Sequence, residues 1–128
     1  MHTLSWDVEY TDEFEEWWRT LSEEEQEVID VAVEQLEVTG PTLGRPFVDQ
    51  VKSSRHSRMK ELIPLGSHIR ILFAFDPRRT AILLIGGNKA GQWDKWYDRF
   101  VPVADKLYAE HMNMLKEGAK ERRHAKDT

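Results

Sequence analysis

Residues 55–75 read RHSRMKELIPLGSHIRILFAF, two runs of alternating side chains on either side of the turn-like segment PLGS. Alternate side chains of a β-strand lie on the same face of its sheet, so the pattern predicts an antiparallel hairpin. One face of this hairpin would be apolar and the other basic. The basic side chains are His56, Arg58, Lys60 and Arg70. Because such a surface suits a phosphate backbone, we expect it to bind RNA.

The composition is that of a small globular protein. At 128 residues the chain has the length of one domain, and its 40% hydrophobic content with five tryptophans favours a packed core. The absence of cysteine excludes disulfides and cysteine-based nucleophiles or metal sites. No secretion signal or bilayer-spanning apolar run is apparent, and we expect a cytoplasmic protein.

Charge is distributed unevenly along the chain. Residues 1–40 contain thirteen acidic residues and one basic residue, whereas residues 41–128 contain ten acidic and seventeen basic residues. The formal charges of these two parts are therefore −12 and +7, and the total is −5. Screening limits such fields to roughly 8–10 Å at ordinary salt, so a basic surface can bind nucleic acid although the whole protein is acidic.

The first forty residues predict a strand followed by a helical hairpin. Alternating side chains over residues 4–9 indicate the strand. Thr11 precedes the first helix as an N-cap, and Ser22 with Glu25 forms the capping-box pattern that begins the second helix. Gly40, followed by proline, is expected to end that helix.

The middle of the chain predicts further strands. Residues 41–54 look like an irregular link, and the hairpin follows it. A turn over Asp76–Arg79 then leads into an apolar run, residues 80–87, that predicts a buried strand with a flexible loop beginning at Gly86. The predicted element order is β-α-α-β-β-β-α.

The last part of the chain predicts a helix from Gln92, which Pro102 is expected to break or restart. Residues 116–128 are basic and contain few apolar side chains. We expect this tail to be frayed, and residues 1–115 to form a single domain.

The order and spacing of several motifs resemble the RelE/HigB toxin superfamily of bacterial type II toxin–antitoxin systems, and its phage-type HigB branch in particular. The motifs are Arg45-Pro46, Ser54–Leu62, Ile69–Asp76, Ile82–Gly87, and Lys89 leading to Trp96-Tyr97. Together they extend the resemblance over roughly residues 4–115 of the 128.

The resemblance implies an α+β fold in which two N-terminal helices pack on a small, curved, antiparallel-dominated sheet with a C-terminal helix. The opposite, concave face of such toxins cuts messenger RNA in the ribosomal A site, and the reaction needs no metal or cofactor. The implied partner is a helix-turn-helix antitoxin, which neutralises the toxin in a hetero-oligomer.

Carried over residue by residue, the resemblance places phosphate-gripping and catalytic cations at Arg58, Lys60 and Arg70. It places a further basic residue at Lys89. It also places an aromatic residue, able to stack on a base or move a proton, at Tyr97.

The chemistry of the residues adds further candidates but leaves the general acid and base unassigned. Histidine is the usual acid–base residue of active sites, so His56 could serve as either, and crowded cations could depress the pKa of Lys60 enough to make it a base. The candidate RNA-binding residues are Arg45, Lys52, Arg55, Lys89 and Lys95.

Three alternatives remain open at this point. A row of cations on a strand is commonly a solvated sheet face with no function. The same fold could also serve a gyrase-inhibiting toxin of the ParE type, or an inactive regulator bound to an antitoxin. Arg58, Lys60 and Arg70 together favour the nuclease.

Overall fold

The computed structural model describes residues 5–127, with side chains as far as residue 119. The predicted beginning of the first strand, at Leu4, lies outside the described residues. The elements are β1 (Val8–Tyr10), α1 (Asp12–Trp18), α2 (Glu23–Thr39), β2 (Val48–Gln50), β3 (Lys60–Leu62), β4 (Ile69–Phe75), β5 (Ala81–Asn88) and α3 (Trp93–Asp127). A short 3₁₀ turn, Gly40–Thr42, follows α2.

The strands form one mixed sheet in the order β1-β5-β4-β3-β2. β1 pairs with β5 in parallel, and the remaining neighbours pair antiparallel. The predicted α+β class with an antiparallel-dominated sheet is confirmed. β2 lies in residues 41–54, for which the sequence predicts an irregular link. Its three residues are too few to give a recognisable alternation.

The N-terminal helical hairpin forms as its caps predict. The Thr11 hydroxyl accepts a 3.0 Å hydrogen bond from the Phe14 main-chain N–H. Ser22 and Glu25 each accept a hydrogen bond from the other's main-chain N–H, which completes the capping box. α1 and α2 pack their apolar side chains on one face of the sheet. This first core contains Phe14, Ile29, Ala32, Leu36, Ile71 and Phe73.

The opposite face of the sheet is packed against α3. This second core contains Leu72, Ala74, Ile82, Leu84, Trp96, Val101, Ala104 and Leu107. The fold therefore has α1 and α2 on one side of the sheet and α3 on the other. The resemblance implies that the second face is the one that cuts RNA, and α3 covers the middle of that face. Polar side chains approach the surface where this core ends, near Arg70.

The prediction that Pro102 breaks the last helix is wrong, because α3 continues through it. Pro102 is exposed, whereas Val101 and Ala104 beside it are buried against the sheet and hold both sides of the helix in place. The helix also includes residues 116–127 of the basic tail. That this tail is frayed stays a prediction.

The prediction of a loop beginning at Gly86 is also wrong, because Gly86 and Gly87 lie within β5 and pair with β4. Each glycine allows an indole ring to lie directly on the sheet. A Cβ atom at Gly86 would collide with the Trp17 ring, and one at Gly87 would lie 2.6 Å from Nε1 of Trp96. The two glycines are thus where α1 and α3 approach the sheet most closely.

Gly86→Ala should therefore lower the free energy of unfolding by about 1–3 kcal/mol, because the added methyl group overpacks the space filled by Trp17. Urea denaturation measures the change. Gly44→Ala is the matched control, since a Cβ atom there meets nothing within 4 Å. Equal stability of the two variants would contradict this role for Gly86.

Candidate active site

A buried ion pair lies where β3 and β4 adjoin. Glu61 is opposite Leu72 in the antiparallel register, so its side chain shares a face with that of Arg70, two residues earlier on β4. Arg70 Nε lies 3.7 Å from Glu61 Oε1, and the two side chains are 13% and 10% exposed. Glu61 is not among the site residues predicted from the sequence.

Lys89 and Tyr97 extend this pair into a cluster of four residues. Lys89 is held at the end of β5 by a 3.0 Å bond from its main-chain N–H to the His68 carbonyl. Its Nζ donates to Tyr97 Oη at 3.3 Å, and that hydroxyl donates to Glu61 Oε1 at 3.0 Å. We call Glu61, Arg70, Lys89 and Tyr97 the carboxylate cluster.

Burial changes the proton affinities within the carboxylate cluster. It raises the pKa of Glu61, although the Tyr97 hydrogen bond and the charges of Lys89 and Arg70 oppose the rise. Burial, reinforced by the positive charge of Arg70, lowers the pKa of Lys89. Burial and Glu61 together raise the pKa of the Tyr97 phenol. Glu61 is therefore a better base, and Lys89 a better acid, than either would be in water.

The cluster also holds hydrogen-bond donors that the described residues leave unused. Nη1 of Arg70 donates to the Ile69 carbonyl at 2.7 Å, but its buried Nε has no hydrogen-bond partner among the described residues. Nε1 of Trp96 lies against Gly87 and also has no hydrogen-bond partner among the described residues. Unused buried donors are uncommon in native proteins.

A cleft of about 590 Å³ opens above Glu61 and Tyr97. Arg45 and Lys52, two of the predicted RNA-binding residues, line it. Arg45 makes a 2.7 Å ion pair with Asp49, but its side chain remains 80% exposed. The guanidinium holds the pKa of Asp49 below its usual range. We call this the first cleft.

Trp93 adds an aromatic surface beside the carboxylate cluster. Nζ of Lys89 lies 4.3 Å from the centroid of the Trp93 ring, close enough for a cation–π interaction. Trp93 is 58% exposed, an unusual position for so large a side chain. Lys95, another predicted RNA contact, is exposed on the first turn of α3 and is not among the residues that line the first cleft.

The prediction that Lys60 shares a surface with Arg70 is wrong. Lys60 is opposite Phe73, three residues from Arg70, so the two cations lie on opposite faces of the sheet. Nζ of Lys60 donates to the Pro41 carbonyl at 3.1 Å and lies 5.9 Å from the centroid of the Phe75 ring. Burial lowers its pKa.

The expected strand positions of His56 and Arg58 are also wrong, because residues 51–59 form turns and bends that lie against α3. Nε2 of His56 is 3.2 Å from the main-chain oxygen of Asp105, and its ring contacts the edge of Tyr108 at a centroid distance of 5.0 Å. Arg58 is exposed, and its positive charge acts on Tyr108. Arg55 belongs to the same loop, so none of the three shares a strand face with Arg70.

One signal in the sequence could have identified Glu61. In the predicted first hairpin strand it alternates with Met59 and Ile63, and so falls on the apolar face. An ionisable residue that faces a core is costly unless it has partners, so a lone carboxylate in such a row suggests a functional site.

No helix among the described residues is long and apolar enough to cross a membrane. Between residues 5 and 119, where side chains are described, no group of three or more His, Asp or Glu side chains is arranged to hold a metal ion.

Comparison with solved structures identifies the fold class. The archaeal RelE–RelB complex from Pyrococcus horikoshii OT3 contains a chain with a TM-score of 0.55 and 11% sequence identity, over 69% of this chain and 98% of that one. The isolated E. coli RelE toxin also gives a TM-score of 0.55, with 9% identity over 75% of this chain and 99% of that one. The chain therefore has the RelE fold.

Sequence comparison identifies the family within that fold. The model of the phage-derived Gp49-like proteins matches residues 16–109. HigB3 of Mycobacterium tuberculosis, named as a toxin, is 54% identical over 91 residues, 71% of this chain and 80% of that protein. HigB2 of the same organism, also named as a toxin, is 48% identical over 113 residues, 86% of this chain and 56% of that protein. The chain belongs to the Gp49-like, HigB-type toxin family of the RelE/HigB superfamily, which confirms the predicted superfamily.

The raised pKa of Glu61 predicts an effect on stability that needs no assumption about function. Folding favours the protonated carboxyl group, so its stabilising contribution is full at low pH and is lost as pH rises through the folded-state pKa. Glu61→Gln keeps the shape without the charge and should melt at a higher temperature than the wild type at pH 8.

Thermal unfolding from pH 4 to pH 8 measures this effect, and the advantage of Glu61→Gln should grow with pH. Glu117→Gln, an exposed position on α3, is the matched control and should show no such trend. A Glu61→Gln variant that is less stable than the wild type at pH 8 would show that the ionised carboxylate stabilises the fold.

Proposed function

We propose that this HigB-type toxin is a ribosome-dependent endoribonuclease that cleaves messenger RNA at the carboxylate cluster. The observation that carries the proposal is a nearly buried carboxylate, Glu61, which lines an open cleft and is hydrogen-bonded to a phenol. Two cations, Arg70 and Lys89, lie behind it and act on its charge. Such a set supplies a base, an acid and anion-stabilising groups within a few ångströms of one another.

The proposed reaction is an internal transesterification of RNA. Glu61 takes the proton of a ribose 2′-hydroxyl, and the 2′-oxygen forms a bond to the adjacent phosphorus. The bond from phosphorus to the 5′-oxygen breaks, and that oxygen receives a proton. The products are a 2′,3′-cyclic phosphate and a free 5′-hydroxyl. Arg70 stabilises the charge that develops on the phosphorane oxygens, because its guanidinium is permanently charged and suited to paired contacts with phosphate.

Lys89 is the proposed general acid. Its pKa is lowered, so its ammonium group gives up a proton more readily, whereas the raised pKa of Tyr97 opposes proton donation by the phenol. Tyr97 instead positions the Glu61 carboxylate through its hydrogen bond and offers a ring on which a base can stack. The catalytic roles predicted for His56, Arg58 and Lys60 are not part of this proposal.

The acidic helices do not oppose RNA binding at this site. Eleven of the thirteen acidic residues within residues 1–40 lie at Asp12 or beyond, in or beside α1 and α2. These helices pack on the sheet face opposite α3, so the sheet separates them from Arg70. At physiological ionic strength the field of an exposed charge decays over roughly 8 Å.

The proposed partners are messenger RNA on the ribosome and a helix-turn-helix antitoxin that forms a hetero-oligomer with the toxin. The solved archaeal RelE–RelB structure is a complex formed by a protein with this fold, which supports a protein partner here. The protein would act in the cytoplasm, where translation takes place.

Removing the base or the phosphate ligand should abolish most of the cleavage. Glu61→Gln and Arg70→Ala should each slow it by about 10²–10³-fold, because each removes a group that acts mainly in the transition state. The assay is a translation extract with a reporter mRNA, with cuts mapped by primer extension. Lys116→Ala, an exposed cation elsewhere on α3, is the charge control.

Three outcomes would redirect the proposal. If Lys60→Ala slowed cleavage as much as Arg70→Ala, the reaction would have to be assigned to the other face of the sheet. DNA breaks with intact mRNA would favour gyrase inhibition, and intact mRNA and DNA with unimpaired antitoxin binding would favour an inactive regulator.

A separate pair of variants tests the general acid. Lys89→Arg keeps the positive charge but cannot release a proton at neutral pH, so it should lose about 10²-fold or more in rate. Tyr97→Phe should lose less, because the phenol is not the donor. The wild-type rate should rise as Glu61 ionises and fall as Lys89 loses its proton. An active Lys89→Arg variant with a basic limb that disappears in Tyr97→Phe would make Tyr97 the acid.

A further inference from the structure

A second cleft, of about 580 Å³, lies beside α3. Ser53, Tyr97 and Asp98 line both clefts, so the two clefts adjoin at Tyr97. Beyond Tyr97 the walls are formed by the loop of residues 51–59 on one side and by α3 on the other. The proposed reaction uses none of the side chains of this second part.

The loop wall is firmly attached to the helix through Asp105, whose side chain is buried. One carboxylate oxygen accepts a hydrogen bond from the Ser54 hydroxyl, and the other accepts the Arg55 main-chain N–H at 3.0 Å. Ser54 Oγ in turn accepts the His56 main-chain N–H at 2.9 Å. The second cleft is therefore formed before any ligand arrives, which lowers the entropic cost of binding.

The lining of the second cleft suits a single-stranded nucleotide chain. Val101, Pro102 and Ala109 provide an apolar surface, and Arg55 and Lys106 are exposed cations along it. Neither cation forms an ion pair within the part of the chain whose side chains are described. Apolar surface for bases with unpaired cations for phosphates is the combination that single-stranded nucleic acid requires.

Pro102 adds a hydrogen-bond acceptor to this wall. Proline has no N–H, so it cannot donate to the main-chain carbonyl of Asp98, four residues earlier in α3. Both residues line the second cleft. The Asp98 carbonyl therefore lacks the N–H partner that the corresponding carbonyl of a regular helix has.

The length of the groove exceeds the needs of one nucleotide. From Tyr97 to Ala109 the helix advances roughly 18 Å at about 1.5 Å per residue. A stacked strand advances roughly 3.4 Å per nucleotide, so several nucleotides fit beside the one being cleaved.

We propose that the second cleft is an RNA subsite that holds the single-stranded nucleotides flanking the cleavage position, with Arg55 and Lys106 on their phosphates. The inference rests on the proposed nuclease function and extends it. A substrate gripped on one side of the scissile phosphate would be held in register with Glu61.

The test measures binding of fluorescent RNA oligonucleotides of two and six nucleotides to the full chain carrying Glu61→Gln, which prevents cleavage. The six-nucleotide RNA should bind more tightly. Adding Arg55→Ala or Lys106→Ala should weaken its binding about tenfold and reduce the slope of log affinity against log salt by about 0.7, with little effect on the dinucleotide. Lys116→Ala is the matched control on the same helix and should change neither.

Pro102→Ala tests whether Pro102 contributes to RNA binding or only to the folding of α3. Alanine restores the N–H that engages the Asp98 carbonyl and favours the helix, so the protein should remain folded. Affinity for the six-nucleotide RNA should nevertheless fall about three- to tenfold, the effect of losing one hydrogen bond.

The outcomes distinguish the subsite from the nuclease proposal. Length-dependent binding that Arg55→Ala, Lys106→Ala and Pro102→Ala leave unchanged would overturn the subsite alone. Failure to bind or cleave any RNA would overturn both. Variants that lose antitoxin binding while RNA affinity is unchanged would assign the second cleft to the protein partner and overturn the subsite.

Discussion

The register of β3 on β4 is the constraint on which the proposed site depends. It places Glu61 opposite Leu72 and on the face of Arg70, and it places Lys60 opposite Phe73 on the other face. A shift of one residue would exchange these faces, burying the lysine beneath α3 and moving the carboxylate to the side of α1 and α2. Leu62 and Ile71, paired and fully buried in the first core, resist such a shift.

The position of the site follows from how far α3 covers the sheet. Trp96 and the apolar residues after it seal the middle of the face, while Tyr97, on the adjacent side of the helix, reaches the carboxylate. Lys89, just before the helix begins, is held by both its main chain and its side chain. Catalytic groups at the margin of a core are partly desolvated, which shifts their pKa values, yet they still border open solvent.

The sequence predicted those parts of the structure that depend on local chemistry. Thr11, Ser22 and Glu25 show their capping roles through spacing alone, and the long β4 and β5 show theirs through apolar runs. It did not predict that residues 55–59 leave the strand, because their alternation is that of a strand and the competing bonds come from Asp105, some fifty positions away. Arg70 was predicted both from the strand alternation and from the resemblance, whereas the proposed roles of Lys89 and Tyr97 came from the resemblance. Glu61 was missed because its partners come together only in the folded chain.

Residues 55–59 have the alternation of a strand but form part of the loop of residues 51–59. The contacts of that loop explain the difference. Extending β3 toward Arg55 would gain a few sheet hydrogen bonds, each worth about 1 kcal/mol net. Folding it onto α3 instead satisfies Asp105, which is buried and ionisable and would be costly without partners. The loop conformation also shortens β3 and places Arg55 on the wall of the second cleft. Asp105, which takes no part in the proposed cleavage, thereby positions Arg55 along the second cleft.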